Sequence, residues 1–159
     1  MKKNKPSKKK IPNQQSLTFP CHPKYLVTVR KVVSRMWRLN KLPLKDMRLV
    51  TLAIDEAASV IVQHALAIKQ SGNINIHLDI NDVRFKAVIQ DNIHYFDIDN
   101  LSETERRSLL LKERRHQISL YLITTVMDEV TYVYKKGFEN ELHLIKFIKP
   151  SSIQRNNLK

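Results

Sequence analysis

This sequence has few of the residues on which disulfides, zinc sites and membrane spans depend. Its one cysteine, Cys21, cannot form an internal disulfide and has no second thiol with which to share a zinc ion. No run approaches the roughly 18 apolar residues that a membrane span requires, and the N-terminus lacks the apolar stretch of a signal peptide. We therefore expect a cytoplasmic protein without membrane contact, in which Cys21 is a structural residue.

Histidine and cysteine ligands with metal-binding spacing are also missing. His64, His94 and His116 are separated without such spacing, and the sequence contains no His-Glu-x-x-His motif. We therefore assign no metal site from the sequence. A Ser-His-Asp triad cannot be inferred either.

Positive charge, in contrast, is abundant, with a formal net charge of +13. Six lysines precede any periodic segment, next to Pro6 and Pro12: Lys2, Lys3, Lys5, Lys8, Lys9 and Lys10. Such a block is typical of a disordered, solvated arm. A clustered basic surface also gains affinity for nucleic acid by releasing counterions from phosphates, so an arm that binds nucleic acid or anionic lipid stays open as an alternative.

The length of 159 residues fits one domain with tails. We predict a basic arm over residues 1–15, a folded domain over 16–149 and a polar tail over 150–159. Apolar residues at spacings of three and four predict a first helix over residues 23–39, through Leu26, Val29, Val33 and Met36. The same pattern predicts a second helix that ends near Gly72, where glycine can adopt the left-handed conformation.

Strands are predicted where the apolar period changes to two. Residues 73–80 and 83–89 alternate around a turn at Asn81-Asp82 and predict an antiparallel hairpin. An edge strand at 17–20, a short charged helix at 103–112, a third helix at 117–127 and a closing hairpin at 130–134 and 142–148, turned near Gly137, complete the order. This order favours an α/β fold, a two-layer sandwich with a mostly antiparallel mixed sheet and helices on one face.

Several segments in this order resemble one family. Residues 52–58, LAIDEAA, followed by Gln63-His64-Ala65, resemble the helix of anti-sigma-factor serine kinases, which share the Bergerat-type ATPase fold with histidine kinases and Hsp90. Further matching segments follow Asp91, begin at residue 120 and follow Asn140, and Pro23 and Arg30 match the family's first helix. The resemblance covers residues 17–148 and implies this fold.

The resemblance also implies roles for single residues. The family's Glu, general base toward a serine of an antagonist protein, is matched by Glu56, and its magnesium-binding Asn by Val60, which cannot coordinate a metal. The family's adenine-binding Asp is matched by Asp91. The glycines that follow it are replaced by Ile93 and Tyr95, which are costly where a positive φ is required and occupy space that the ligand needs.

The sequence also lacks glycine where the family has its phosphate-binding turn. The third helix of the family begins at a glycine-rich turn, where this chain has RRHQIS at residues 114–119, and the only glycines are Gly72 and Gly137. Without a nucleotide, Glu56 is a partly exposed helix residue or a hydrogen-bonding partner for a neighbouring loop, and Asp91 caps a turn. Four arginines could clamp a phosphate or belong to a solvated charged helix: Arg106, Arg107, Arg114 and Arg115.

We therefore expect a non-catalytic relative that acts by binding proteins. The resemblance implies a sigma factor or a small STAS-type antagonist as partner, and a homodimer formed through the first helix and the sheet edge. The partner face is predicted at Arg30, Arg35 and Arg38. No cofactor is expected, although ATP and Mg²⁺ stay open if the altered site still works. Two alternatives remain: an active protein serine kinase with an altered nucleotide site, and a nucleic-acid-binding regulator that uses the basic arm.

Overall fold

The structure is a computed structural model that describes residues 13–93, 118–134 and 140–149. Its elements in chain order are β1 (Gln14–Pro20), a 3-10 turn (Pro23–Tyr25), α1 (Leu26–Leu39), α2 (Leu44–Ala67), β2 (Asn73–Ile80), β3 (Arg84–Asp91), α3 (residues 118–126), β4 (Glu129–Tyr134) and β5 (Asn140–Phe147). The predictions for residues 1–12, 103–112, 137 and 150–159 lie outside the described residues.

Two-residue alternation gives the sheet one apolar face and one polar face. The strand order is β1-β2-β3-β5-β4, and each pairing within the described strands is antiparallel. Residues on one side of β2 are buried, and those between them are more exposed: Ile74, Ile76, Leu78 and Ile80 form the buried set. The predicted two-layer α/β sandwich and the β2–β3 hairpin are confirmed, with no parallel pairing in this part of the sheet.

The helices cover the apolar face of the sheet. The buried residues of α1 are Val29, Val33, Met36 and Trp37, and those of α2 are Met47, Val50, Ala53, Ile54, Ala57, Ala58, Val62 and Ala65. Trp37 connects the layers, because its ring lies 5.4 Å from that of Phe85 and its Nε1 donates to the carbonyl of Pro43 at 2.9 Å. The predicted first helix is confirmed, with Pro23 in the 3-10 turn that leads into it.

Helix α2 is long and apolar enough to cross a membrane by length and composition, with a mean hydropathy of 1.4 in its most apolar window. The helix nevertheless contains no unbroken run of about 18 apolar residues, as expected from the sequence, because Asp55 and Glu56 interrupt it. Its buried apolar residues pack with α1 and the sheet in one hydrophobic cluster, whereas four of its leucines are exposed: Leu44, Leu49, Leu52 and Leu66.

The end of α2 differs from the prediction. The helix ends at Ala67, and the left-handed residue is Lys69, with φ of 53°, rather than Gly72. Gly72 is needed for space instead, because a Cβ there would lie 2.4 Å from Cδ1 of Ile93. Strand β1 also begins earlier than expected, at Gln14, and it is an edge strand as predicted.

Candidate functional site

The candidate site begins at Glu56 on α2, where a serine of the same chain meets the carboxylate. The hydroxyl of Ser119 in α3 donates to Oε1 of Glu56 at 2.5 Å, the short distance of a charge-assisted O–H···O⁻ bond. Ser119 is only 5% exposed, and Glu56 is half-buried. The residue with the implied role of general base therefore has an internal hydroxyl as partner.

The stripe of α2 that carries Glu56 continues through Val60 to His64, at four-residue spacing along one face. The half-buried Val60 offers no oxygen or nitrogen to a cation. Within residues 13–93, 118–134 and 140–149, no three His, Cys, Asp or Glu side chains are grouped to hold a metal ion. These residues do not supply a ligand set for Mg²⁺, so we derive no step through it.

Asp91 ends β3, opposite Asn140 at the start of β5. Its Oδ1 accepts from the backbone nitrogen of Ile93 at 3.0 Å and from Nδ2 of Asn140 at 3.1 Å. Burial raises the pKa of the Asp91 carboxyl above its ordinary value, and these two hydrogen bonds and the charge of His64 oppose that rise. The predicted turn cap is therefore present, since the carboxylate binds a backbone N–H two residues later.

Asn140 is both a donor and an incompletely satisfied group. Its Nδ2 also donates to the carbonyl of Ile93 at 3.2 Å, so the side-chain amide joins β5 to the residues after β3. Within residues 13–93, 118–134 and 140–149, its buried Oδ1 accepts no hydrogen bond.

Ile93 fills space beside Asp91 and is only 3% exposed. Its side chain ends against Gly72, and among the described non-glycine residues only Lys41 and Lys69 have positive φ. The expected backbone strain at Ile93 is therefore absent, because the chain adopts an ordinary conformation there. Tyr95, the second replaced glycine, lies outside the described residues, as do the four arginines at 106, 107, 114 and 115.

The order of these elements and residues agrees with comparisons to known proteins. Residues 19–146 match the family described as the histidine kinase-like ATPase domain. The chain belongs to this family. Among curated relatives, it is 28% identical over 145 residues to the serine-protein kinase RsbW of Staphylococcus aureus strain MRSA252, covering 88% of this chain and 90% of the relative.

Two further relatives carry the same description. The serine-protein kinase RsbW of Staphylococcus epidermidis is 28% identical over 148 residues, covering 88% of this chain and 90% of the relative. That of Bacillus cereus strain AH187 is 24% identical over 144 residues, covering 88% of each chain. The resemblance to the kinase branch of the histidine kinase-like ATPase family is thereby confirmed over the folded part.

On this ATPase domain, the three arginines of the predicted partner face line one shallow groove along the exposed side of α1. Its walls also include Val27, Lys31, Ser34 and Leu39. Nη1 of Arg30 lies 2.9 Å from both carboxylate oxygens of Asp55, the residue before Glu56, while Arg35 and Arg38 are exposed. The structure therefore places Arg30, Arg35 and Arg38 along the same groove. Arg30 differs from the other two because it forms an ion pair with Asp55.

Sequence reasoning missed the two internal partners, Ser119 and Asn140. Asn140 lies in a segment that carries the family resemblance and Ser119 directly precedes one, but nothing near them in the sequence indicates which side chains they contact. The β3–β5 pairing places Asn140 opposite Asp91, so a correct strand order would have suggested that contact. No comparable signal in the sequence indicates the contact between Ser119 and Glu56.

Proposed function

We propose that this chain is an anti-sigma-type regulatory domain that sequesters a sigma factor or a small STAS-type antagonist without binding ATP or transferring phosphate. Membership of the histidine kinase-like ATPase family and similarity to serine-protein kinases support the regulatory class. The loss of nucleotide chemistry is the further step, and it is supported by the internal contacts of Glu56 and Asp91.

The observation that carries the proposal is that Asn140 already donates to the Asp91 oxygen. In the family, an adenine amino group is the donor at this Asp, and here a side-chain amide makes an equivalent N–H···O bond at 3.1 Å. The amino group of a nucleotide would have to displace that bond or share the carboxylate with the Asn140 amide and the backbone nitrogen of Ile93. Displacing a satisfied buried group costs free energy that a ligand must recover elsewhere.

Two further contacts support the same conclusion. Ser119 donates to Glu56, so an incoming serine of another protein would compete with an internal hydroxyl. Ile93 is packed against Gly72 at the position where the family has a glycine, and Val60 offers no metal ligand. The family requires a general base, an adenine contact and a magnesium ligand. In this chain, each of these three functions is thus opposed by a contact or a substitution.

Partner binding is proposed on the α1 groove, with Arg30, Arg35 and Arg38 facing an acidic surface. Charge of this kind governs encounter rate and selectivity more than final affinity. A homodimer formed through α1 and the edge strand β1, and a cytoplasmic location, complete the proposal. Among the described strands, β1 lies at the edge of the sheet, and this position supports the first of these, since the outer backbone groups of an edge strand can pair with another chain.

Nucleotide binding is tested by titration calorimetry of the intact chain with ATP and Mg²⁺. We expect no saturable heat, and a variant carrying Val60→Asn, Ile93→Gly, Tyr95→Gly and Asn140→Ala shows whether removing the obstacles restores it. Saturable heat in the intact chain, with transfer of labelled phosphate to a serine of a STAS-type protein, would establish the active-kinase alternative.

Partner identity is tested by affinity capture from cell extract followed by mass spectrometry. We expect a sigma factor or STAS-type protein with the intact chain, and its loss when Arg30, Arg35 and Arg38 are replaced by Glu. A control with Lys69, Lys86 and Lys149 replaced by Glu has the same charge change outside α1 and should retain the partner. Capture of neither class by the intact chain contradicts the proposal.

A further inference from the structure

Strand β4 lies at the edge of the sheet opposite to β1, and it lacks the features that protect an edge strand. Natural edge strands often contain proline or lysine, because their outer backbone groups can otherwise pair with another chain. Strand β1 has Pro20 at its end, whereas β4, of sequence EVTYVY, contains neither proline nor a basic residue. The Val, Thr and Tyr residues of β4 favour extended backbone. Of the two edges of the described sheet, β4 is therefore the less protected.

The backbone of β4 can accept a further strand on its outer side. Among the described strands, β4 has one neighbour, β5, with which all 6 of its residues pair. The other backbone hydrogen bonds within residues 13–93, 118–134 and 140–149 include none from four of these residues: Glu129, Val130, Thr131 and Val133. In an antiparallel pair, alternate residues direct their N–H and C=O groups away from the partner strand. The outward groups of β4 therefore face the position of an added strand.

The apolar face of the sheet is incompletely covered at β4. Val130 and Tyr132 pair with Leu144 and Leu142 of β5, so these four side chains lie on the face that the helices cover. Leu144 is fully buried, whereas Val130 and Leu142 are half-buried against the core and Tyr132 is 53% exposed. Removing apolar surface from water favours association. A strand added to β4, with apolar residues on this face, would therefore extend the core.

The charge of this part of the chain differs from that of the whole protein. Residues 118–134, which comprise α3 and β4, contain no Lys, Arg or His, although the protein has a net charge of +13. Their two acidic residues are Asp128, which is paired with Lys146, and the exposed Glu129. The hydrogen bonds and ion pairs of the described residues include none from the Glu129 carboxylate. A ligand with one cation beside Glu129 and uncharged residues elsewhere therefore complements β4.

We propose that β4 binds an extended segment of a partner protein, which joins the sheet as a further strand antiparallel to β4. In this mode of recognition, main-chain hydrogen bonds supply affinity and alternate side chains supply selectivity. The antiparallel direction is favoured because each described pairing of this sheet is antiparallel, and parallel pairs are slightly less stable. The segment has apolar residues on the helix side, small polar residues on the open face, and Lys or Arg near its C-terminal end, opposite Glu129.

A second copy of this chain fits the edge of β4 less well than such a segment. Neither β1 nor β4 contains a basic residue, so pairing with an edge strand of another copy would leave Glu129 without a counter-charge. The inference goes beyond the proposed function and does not depend on it. The acidic partner was assigned to α1 and the homodimer to α1 and β1, so the added strand occupies a different part of the protein.

The test is NMR titration of the isotope-labelled intact chain with two acetylated and amidated peptides of equal composition, VTVTVK and KVTVTV. The first peptide places its lysine opposite Glu129 in the antiparallel direction, and the second does so only in the parallel direction. We expect saturable shifts of β4 amides with β1 unchanged, and VTVTVK should bind about two- to fivefold tighter, the effect of one exposed ion pair.

Backbone methylation of VTVTVK separates strand addition from apolar contact alone. Methyl groups are placed on every second backbone nitrogen, in one peptide on the odd positions and in another on the even positions. Because only one of these sets directs its N–H groups toward β4, we expect binding to be abolished for one peptide and retained for the other.

Three variants locate the contact on the protein. Glu129→Gln should remove the difference between VTVTVK and KVTVTV, because the ion pair is lost with both peptides. Tyr132→Lys should weaken both by about tenfold, since it places a charge on the apolar face of β4. Thr18→Lys adds the same charge to the exposed part of β1 and should leave both affinities unchanged. Thermal denaturation checks that each variant is folded.

Several results would overturn the proposal. Absence of saturable shifts with both peptides, or shifts confined to β1 or α1, would exclude β4 as the site. Equal binding of both methylated peptides would show that no main-chain hydrogen bonds form. Shifts of β4 amides that follow the protein concentration without peptide would assign the edge to a second copy of the chain.

Discussion

Nδ2 of Asn140 donates to Oδ1 of Asp91 across the β3–β5 pairing at 3.1 Å, in a position where both side chains are buried. The amide thus supplies from within the chain the donor that the family takes from adenine. The resulting contact joins β3 and β5 where Asp91 ends one strand and Asn140 begins the other.

Replacing Asn140 by Ala removes the donor and leaves the buried carboxylate with fewer hydrogen bonds. We expect the free energy of unfolding at neutral pH to fall by about 1–3 kcal/mol, measured by urea denaturation. Gln90→Ala is the control, because Gln90 also donates to a carboxylate on β5, Glu141, but from the half-exposed face. If both substitutions lowered the free energy of unfolding equally, burial would not strengthen the hydrogen bond to Asp91.

The pH dependence of stability should contain a contribution from Asp91. Because burial raises its pKa in the folded state above the ordinary 3.8, the folded protein binds more protons than the unfolded chain between the two values. The free energy of unfolding therefore falls as pH rises from about 3.8 through the folded-state pKa of Asp91. Denaturation of the intact chain and of Asp91→Asn at several pH values should show this fall only in the former.

Cys21 should be chemically inert in the folded state. Burial, and then the charge of Asp91, raises the pKa of its thiol from 9.0 to about 11. Because the thiolate is the reactive form, we expect alkylation by iodoacetamide at pH 8 to be roughly 100-fold slower than in the chain unfolded in guanidinium chloride. Asp91→Asn should accelerate the reaction, and a folded rate equal to the unfolded rate would contradict the assignment.

The contact of Ser119 with Glu56 should appear as a coupling free energy. Ser119→Ala, Glu56→Ala and the double variant form a cycle, for which we expect about 1–3 kcal/mol, because the hydrogen bond is charge-assisted and partly buried. The exposed pair of Gln63 and Ser59, at 3.0 Å, is the comparison and should give less than about 0.5 kcal/mol. Additive effects at Glu56 and Ser119 would remove one support of the proposed function.

Gly72 and Ile93 should behave as a steric pair. A methyl group at residue 72 would meet Cδ1 of Ile93 at 2.4 Å and Oδ1 of Asn92 at 2.7 Å, so Gly72→Ala should destabilise the fold by about 1–3 kcal/mol. Adding Ile93→Val or Ile93→Ala should recover part of this loss, as measured by thermal denaturation. If the second substitution only adds its own penalty, the side chain of Ile93 does not cause the effect.

Local periodicity predicted most of the fold. Helix α1 and the β2–β3 hairpin follow from spacings of three to four and of two, because burial of one face dominates their energetics. The end of α2 was wrong because glycine was assumed to be the left-handed residue, whereas Lys69 tolerates that conformation and Gly72 serves packing. A single lysine with positive φ cannot be recognised from the sequence pattern around it.

The site could be predicted only in part. The family resemblance located Glu56 and Asp91, but their partners are 63 and 49 residues away in sequence, so neither contact could be read from local spacing. Arg30, Arg35 and Arg38 line one groove along α1, although Arg30 lies on its flank toward α2. That Asp55 engages Arg30 depends on how α1 packs on α2, which the sequence pattern does not specify.

The ion pair of Arg30 with Asp55 gives the outer helix a direct mechanical link to the residue beside Glu56. A ligand that withdraws the guanidinium must break this pair, in which the side chain of Arg30 is 47% exposed and that of Asp55 is more buried. It also releases a carboxylate whose side chain is 18% exposed. Occupancy at the surface of α1 would thereby free the carboxylate of Asp55, one residue before Glu56.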